Sequence, residues 1–438
     1  MSREKKRLSV LLACFLLIAI VVAIVSSSAR NPFRGDDAEY YRSLLDAGFP
    51  ASYAKPLTEL HREHPAWVFL PLLITEQNPD LTWSHVLEKE TASAGINVVS
   101  GSDQYTAYRH RSNEQTEPGF FRASTAAVAY FLDPRNFLNE TDVFQFLDLS
   151  GGGQSNPDGL AHVLKGTFLE HLRLENGLLC SDYLTEVGAE IGIDPVYVAV
   201  RIRQEMGVDG TSPVISGACG SLLLRYYTSQ DQRTADGTAI SPPGSGSRRE
   251  ADLLAYDGLY NFFNFGATGK GLFDVYEGAM KRAQSGTAAM NDAWGGSPAW
   301  NTRWKAIWGG AYSLCRNYIG VGQYTLYLQK FDVNRPSGER AFTHQYMANV
   351  MAARTEGRSL YRSYAASDAL DSACVFRIPV YDGMPRSAVA DPAGTSLLSA
   401  AFPYRTDDKP HILPVPDDER RSLSYRLRNT DFSRKEPI

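Results

Sequence analysis

No feature constrains this chain more than its uncharged run from Leu8 to Val25, LSVLLACFLLIAIVVAIV. As a helix these 18 residues span about 27 Å at ~1.5 Å each, close to the ~30 Å hydrocarbon core of a bilayer. The apolar core of a secretory signal is shorter, about 7–15 residues, so the length favours a retained anchor over a cleaved signal. Ser27-Ser28-Ala29 still offers a weak cleavage site. Arg3, Lys5, Lys6 and Arg7 precede the run against a single Glu4, which places the N-terminus in the cytoplasm and the rest outside. The expected localisation is the cell membrane, single-pass, with everything after residue 30 extracytoplasmic.

The chain has 438 residues, a net charge of −5 and 21% charged residues, so no basic excess points to nucleic acid. A hydrophobic fraction of 43%, with 23 Tyr, 20 Phe and 6 Trp, excludes wholesale disorder. His61 and His64 sit in His-Arg-Glu-His, which is i,i+3 and not the i,i+4 pair of a zinc peptidase; no cofactor or metal is implied. Cys14 lies in the apolar run, whereas Cys180, Cys219, Cys315 and Cys374 lie beyond it, none in a CxxC. In an oxidising exterior those four could form structural disulfides, with the pairing open.

Residues 1–30 are the basic tip and anchor, and 31–150 form an accessory α+β region. Within it 36–47, 56–63 and 81–90 have helical character, 67–74 (WVFLPLLI) reads as a strand interrupted by Pro71, and 97–117 reads as a polar loop. GGGQSNP at 151–157 leads into a unit spanning 151–370. Apolar spacing at i, i+3, i+4 marks helices in it at 160–171, 178–191, 273–283, 304–318 and 343–353. Residues 228–250 nearly lack apolar side chains and read as a mobile insertion. Past Cys374, strand-like 375–381 opens a Pro-rich polar tail, 371–438. The fold class expected is mostly α (α+β).

The most informative helix starts at Asp194-Pro195, a capping Asp with Pro in the first turn, and ends near Gly207. Its sequence, DPVYVAVRIRQEM, puts Val198, Ile202 and Met206 on one stripe and Tyr197, Arg201 and Glu205 on the next. Glu205 is then a carboxylate in the last turn, where the helix dipole is negative and favours the protonated form. A carboxyl kept protonated near neutral pH is what a general acid needs. The plainer alternative is an i,i+4 surface salt bridge with Arg201. Trp304 and Trp308, also i,i+4, are expected in the core rather than as a sugar platform.

Four segments occur in fixed order: RIRQEMGVDGTSP at 201–213, LYNFFNFGA at 259–267, AIWGGAYSLCRNYIGVGQYTLYLQKF at 306–331 and HQYMANV at 344–350. Together they resemble the glucosaminidase module of bacterial autolysins, glycoside hydrolase family 73, over about 160–364. FLDPRNFLNETDVFQFLD at 131–148 resembles the region that precedes this module in membrane-linked or secreted Gram-positive members. The resemblance implies a lysozyme-like catalytic domain, mostly helical, with a small β-hairpin lobe beside the groove. It implies a glycosidase acting on cell-wall peptidoglycan, an endo-β-N-acetylglucosaminidase that cuts the β-1,4 bond after N-acetylglucosamine. Glu205 would be the general acid, with Gly207, Gly210 and Ser212 following as in the family pattern. The family's aromatic strand corresponds to Tyr260, Asn261, Phe263, Phe265, Gly266 and Ala267, lining the cleft floor. The His-Gln-Tyr motif gives Gln345 at the substrate and Tyr346 as the catalytic cleft tyrosine facing the acid. Partners implied are peptidoglycan glycan strands and the membrane through 8–25, and 36–150 could receive an integral membrane protein.

The chain departs from that family in three respects. The stretch from Ser212 to Tyr260 is long, so the hairpin lobe should be reshaped. No carboxylate follows Ala267 until Asp274. Tyr324 stands where relatives often carry Asn. Lacking an obvious second carboxylate, the site favours attack by the substrate's own N-acetyl oxygen over water activated by a distant base. Asp209, Asp257 and Asp274 are weak candidates for that base. Two other readings stay open: a lytic transglycosylase, which also needs one Glu and cuts the muramic acid bond, and a non-catalytic wall-binding scaffold.

Overall fold

The computed structural model describes residues 33–150, 156–228, 247–269, 271–290, 296–335, 340–345 and 348–394. The expected anchor at 8–25, most of the insertion at 228–250, Tyr346 and the tail beyond 394 lie outside the described residues. Among the described residues no helix is long and apolar enough to cross a membrane.

The architecture is mostly helical with two small sheets. Helix Pro195–Met206 forms where local signals agree: the Asp194 carboxylate accepts from the Val196 amide at 2.9 Å, Pro195 fills the first turn, and Gly207 ends it at φ 75°. Val198, Ile202 and Met206 are buried as the stripe requires, each such side chain contributing about 1.5–3 kcal/mol. Helices Cys180–Ile191, Leu272–Ser285 and Arg303–Asn317 lie within a few residues of their expected spans. Trp308 is buried and stacked on Tyr312 at 5.0 Å, and Trp304 is half-buried, edge-on to Tyr183.

Strands β1 (Trp67–Leu73) and β5 (Cys374–Val380) pair in parallel, Trp67 opposite Cys374 and Leu73 opposite Val380. Pro71 and Pro379 both fit because each strand of a two-stranded sheet has an open edge, where a missing amide removes no ladder bond. Pro71 therefore does not interrupt β1. The sheet carries Trp67, Phe69 and Phe376 into a shared aromatic cluster with Phe144. Further ties join the same regions: Tyr327 Oη donates to Leu132 O at 2.6 Å, and Trp67 Nε1 to Leu370 O at 2.7 Å. The buried apolar residues form one continuous cluster from Tyr41 to Tyr381, so the boundaries expected near 150 and 370 do not separate the core.

Four expectations need correction. The polar stretch 97–117 is not a plain loop: β2 (Val98–Ser100), β3 (Gln115–Glu117) and β4 (Phe120–Arg122) form an antiparallel sheet, ordered β2-β4-β3, with the positive φ of Gly119 turning the hairpin. The described residues between Ser212 and Tyr260, where the hairpin lobe is expected, carry helices Cys219–Thr228 and Glu250–Leu254 and no strand. The segment 259–267 is also a series of turns rather than a strand. Finally, the helix expected at 343–353 runs from Ala352 to Ala365. The amides of Thr343 and His344 are taken by the Asp332 carboxylate, and Ala348 and Val350 bond the backbone of Val98, so the segment's bonds point outward.

Cys180, Cys219, Cys315 and Cys374 are free and buried. No disulfide joins them, and burial pushes the Cys180 and Cys219 thiols up to about 12.

Candidate active site

Glu205 ends its helix with its side chain only 15% exposed, beside Arg201 at 12%. The Arg201 Nη2 to Glu205 Oε1 distance is 3.3 Å, so the expected ion pair exists, but inside the protein rather than on a solvated face. Burial raises the Glu205 pKa. The Arg201 guanidinium and the Asn264 amide oppose that rise without cancelling it, and the nearby Glu356 carboxylate adds to it.

Asn264 is the residue of the aromatic motif that meets the acid. It adopts φ 51°, a left-handed conformation that Asn tolerates better than most residues. From there Nδ2 reaches Glu205 Oε2 at 3.1 Å and the Glu205 carbonyl at 3.2 Å, an orphan acceptor at the helix end. The rest of the motif builds this turn. Asn261 is fully buried and donates to Phe265 O at 2.8 Å and Ala279 O at 3.0 Å, while its own amide bonds Val214 O at 2.9 Å. Phe263 is buried on Gly310, where a Cβ would lie 1.9 Å from its ring. Gly266, at φ 75°, lets the backbone approach helix Leu272–Ser285: a Cβ there would meet Gly278 O at 2.9 Å. Tyr260 is half-buried, its ring beneath the Arg303 guanidinium at 5.4 Å.

Helix Ala352–Ala365 packs against the Glu205 helix. Gln204 Nε2 donates to Ser363 Oγ at 2.8 Å, and the Arg203 guanidinium reaches Ser367 and Ala366. Glu356, two turns before Ser363, lies within electrostatic reach of both Glu205 and Tyr197. The helix is seated from behind by the buried Asp142 carboxylate, which accepts from Arg354 Nε at 3.1 Å and from Arg358. Gly357 permits that approach, since a Cβ would come 2.6 Å from the Gln145 amide.

Sequence reasoning missed Asn264 and Glu356. Asn264 falls at a free position of the motif, and Glu356 follows the region where the helix was expected to end. Among the other carboxylates, Asp257 accepts from the Ser221 amide at 2.9 Å, Asp274 faces Arg248, and Asp209 is exposed. Gln345 donates to the buried Glu90 carboxylate at 2.6 Å. Among the described residues no group of three or more His, Cys, Asp and Glu is arranged for a metal. A cavity of about 330 Å³, lined by Glu190, Trp308, Tyr312, Cys315 and Arg316, includes none of the residues around Glu205.

No family model and no curated protein matches the chain. Among solved structures it is similar to S. aureus glucosaminidase B, with 20% identity over 72% of this chain and 94% of that one, TM-score 0.41. It is similar to a major bifunctional autolysin at 19% identity, over 72% and 97% of the two chains, TM-score 0.39. It is also similar to S. aureus autolysin E, solved with a muropeptide, at 15% identity over 68% and 96%, TM-score 0.33.

Proposed function

We propose that this protein is a peptidoglycan hydrolase that cuts the β-1,4 bond after N-acetylglucosamine, with Glu205 as general acid. The observation that carries the reading is a buried carboxyl with a raised pKa, oriented by Asn264 and Arg201 at a helix end. The order of the four sequence motifs supports the substrate class.

Protonated Glu205 gives its proton to the glycosidic oxygen as the bond breaks, and positive charge builds on the anomeric carbon of the N-acetylglucosamine whose bond is cut. The N-acetyl oxygen of the same sugar closes on that carbon, water then opens the ring so formed while Glu205 takes the water's proton, and the protein needs to supply one carboxyl only. Glu356 keeps the Glu205 proton in place by like-charge repulsion. Its presence also favours a second route, in which a carboxylate activates water and the anomeric configuration inverts. Proton NMR of the first-formed sugar separates the two: retention supports substrate assistance, and inversion supports the water route. Tyr346 keeps its role as cleft tyrosine on the motif alone. The chain is anchored through 8–25 with this site on the wall side, where 36–150 is available to a membrane partner.

Digestion of purified peptidoglycan by the full chain and its Glu205→Gln variant tests the proposal. Borohydride-labelled N-acetylglucosaminitol ends, absent with the variant, support it. Anhydromuramic ends would make the protein a lytic transglycosylase. No release by either would leave a wall-binding protein.

A further inference from the structure

Helix Trp83–Thr91 belongs to the N-terminal region, yet its last turn reaches the segment that leads to Glu356. Glu90 is 1% exposed, and both of its oxygens are used: Oε1 accepts from Gln345 Nε2 and Oε2 from Asn97 Nδ2, each at 2.6 Å. Lys330, equally buried, has an ammonium with no hydrogen-bond partner and is compensated by the charge of Glu90. Two residues on, the buried Asp332 carboxylate accepts from Gln323 Nε2 at 2.9 Å, Arg335 Nε at 2.7 Å, and the amides of Thr343 at 2.9 Å and His344 at 2.8 Å. Further along, the Val98 amide donates to Ala348 O and the Val350 amide to Val98 O, both at 2.9 Å.

Residues 343–345 and 348–350 are therefore held on both flanks, by Asp332 and Glu90 first and by Val98 next. Helix Ala352–Ala365 starts directly after them and carries Glu356 to Glu205. Apolar residues at both Glu90 and Lys330 would fill the site without burying a charge. What the carboxylate adds is a pair of acceptors fixed in direction, one committed to Gln345.

We propose that Glu90 is a positioning residue of the active site: through Gln345 it fixes the segment entering the Glu356 helix, which makes the N-terminal region part of the catalytic unit. The inference rests on the hydrolase reading above. Glu90 touches no reacting atom and acts through its neighbours.

The full chain, its Glu90→Ala variant and the Glu90→Gln/Lys330→Met pair test it. The pair removes both buried charges and keeps an oxygen to accept from Gln345. Glu90→Ala should lower kcat on peptidoglycan about tenfold or more with little change in KM. Amide exchange should accelerate in 343–345 and 348–350 and not in the Glu205 helix. The pair should recover both. Faster exchange with unchanged kcat overturns the proposal, as does a pair as impaired as Glu90→Ala. If Glu90→Ala does not fold, Gln345→Leu breaks the same link from the other side, and a normal kcat there overturns it. A native chain that releases no sugar ends sinks the hydrolase reading, whereas an active chain indifferent to these variants sinks this inference alone.

Discussion

The side-chain amide of Asn264 holds Glu205 at two points, its carboxylate at 3.1 Å and its main-chain carbonyl at 3.2 Å. One residue thus ends a helix and aims the acid that the helix carries. The acid sits where unpaired carbonyls concentrate, so a neutral donor satisfies both without adding a charge.

Asn264→Gly removes both bonds while keeping the left-handed backbone, whereas Asn264→Ala adds about 1–2 kcal/mol of strain. Activity should fall about 10- to 100-fold in Asn264→Gly, and Asn264→Ala should also lose thermal stability. Because the amide lowers the Glu205 pKa, the alkaline limb of kcat/KM should move to higher pH in Asn264→Gly. Rate profiles and melting curves on the two variants check this.

Arg201 and Glu356 should shift that limb in opposite directions. Arg201 lowers the Glu205 pKa and Glu356 raises it, against the larger effect of burial. In the proposed mechanism the acid works protonated, so activity is lost as pH rises through its folded pKa. Arg201→Met should push the loss to higher pH, and Glu356→Gln should bring it lower. Equal limbs in both variants would mean that neither group governs the proton.

Asp142→Asn should be among the more damaging changes away from the acid. Burial raises this carboxyl, but Arg354, Arg358 and Asn139 outweigh it and hold the pKa below the usual carboxylate range. Its stabilisation is therefore complete above the unfolded pKa of about 4 and drains away as pH falls through the lower folded value. Leaving two guanidiniums short of a partner should cost about 3–5 kcal/mol at neutral pH. Denaturant titrations at pH 7 and in acid should show a large difference that narrows as pH drops.

The four described thiols should ignore redox conditions. Cys180, Cys219, Cys315 and Cys374 are buried and unbonded to one another, so reductant should leave Tm unchanged. A thiol reagent should label all four only after denaturation, which mass spectrometry reads directly.

Legibility in the sequence followed the range of the forces involved. Helix Pro195–Met206 was readable almost to the residue because Asp194, Pro195 and Gly207 act locally. The strands around Phe69 and Phe376 were each readable, but nothing local says that they pair. Residues 343–350 have a helix-like apolar rhythm, and Asp332 and Val98 override it by claiming the backbone groups of Thr343, His344, Ala348 and Val350. Glu356 was hidden for the same reason: its approach to Glu205 depends on Asp142 gripping two arginines more than 200 positions away. Asn264 left one signal, an Asn able to take a left-handed turn just before an aromatic-Gly pair.

The parallel pairing of β1 with β5 joins segments roughly 300 residues apart. A chain delivered from its N-terminus exposes Trp67 and Phe69 long before Phe376 emerges to cover them. The N-terminal region therefore waits, sticky and half-built, until nearly all of the described chain has been made. Synthesis and folding are coupled by topology: a chain interrupted before Cys374 lacks the strand that closes its first sheet, and its bare aromatics mark it as unfinished.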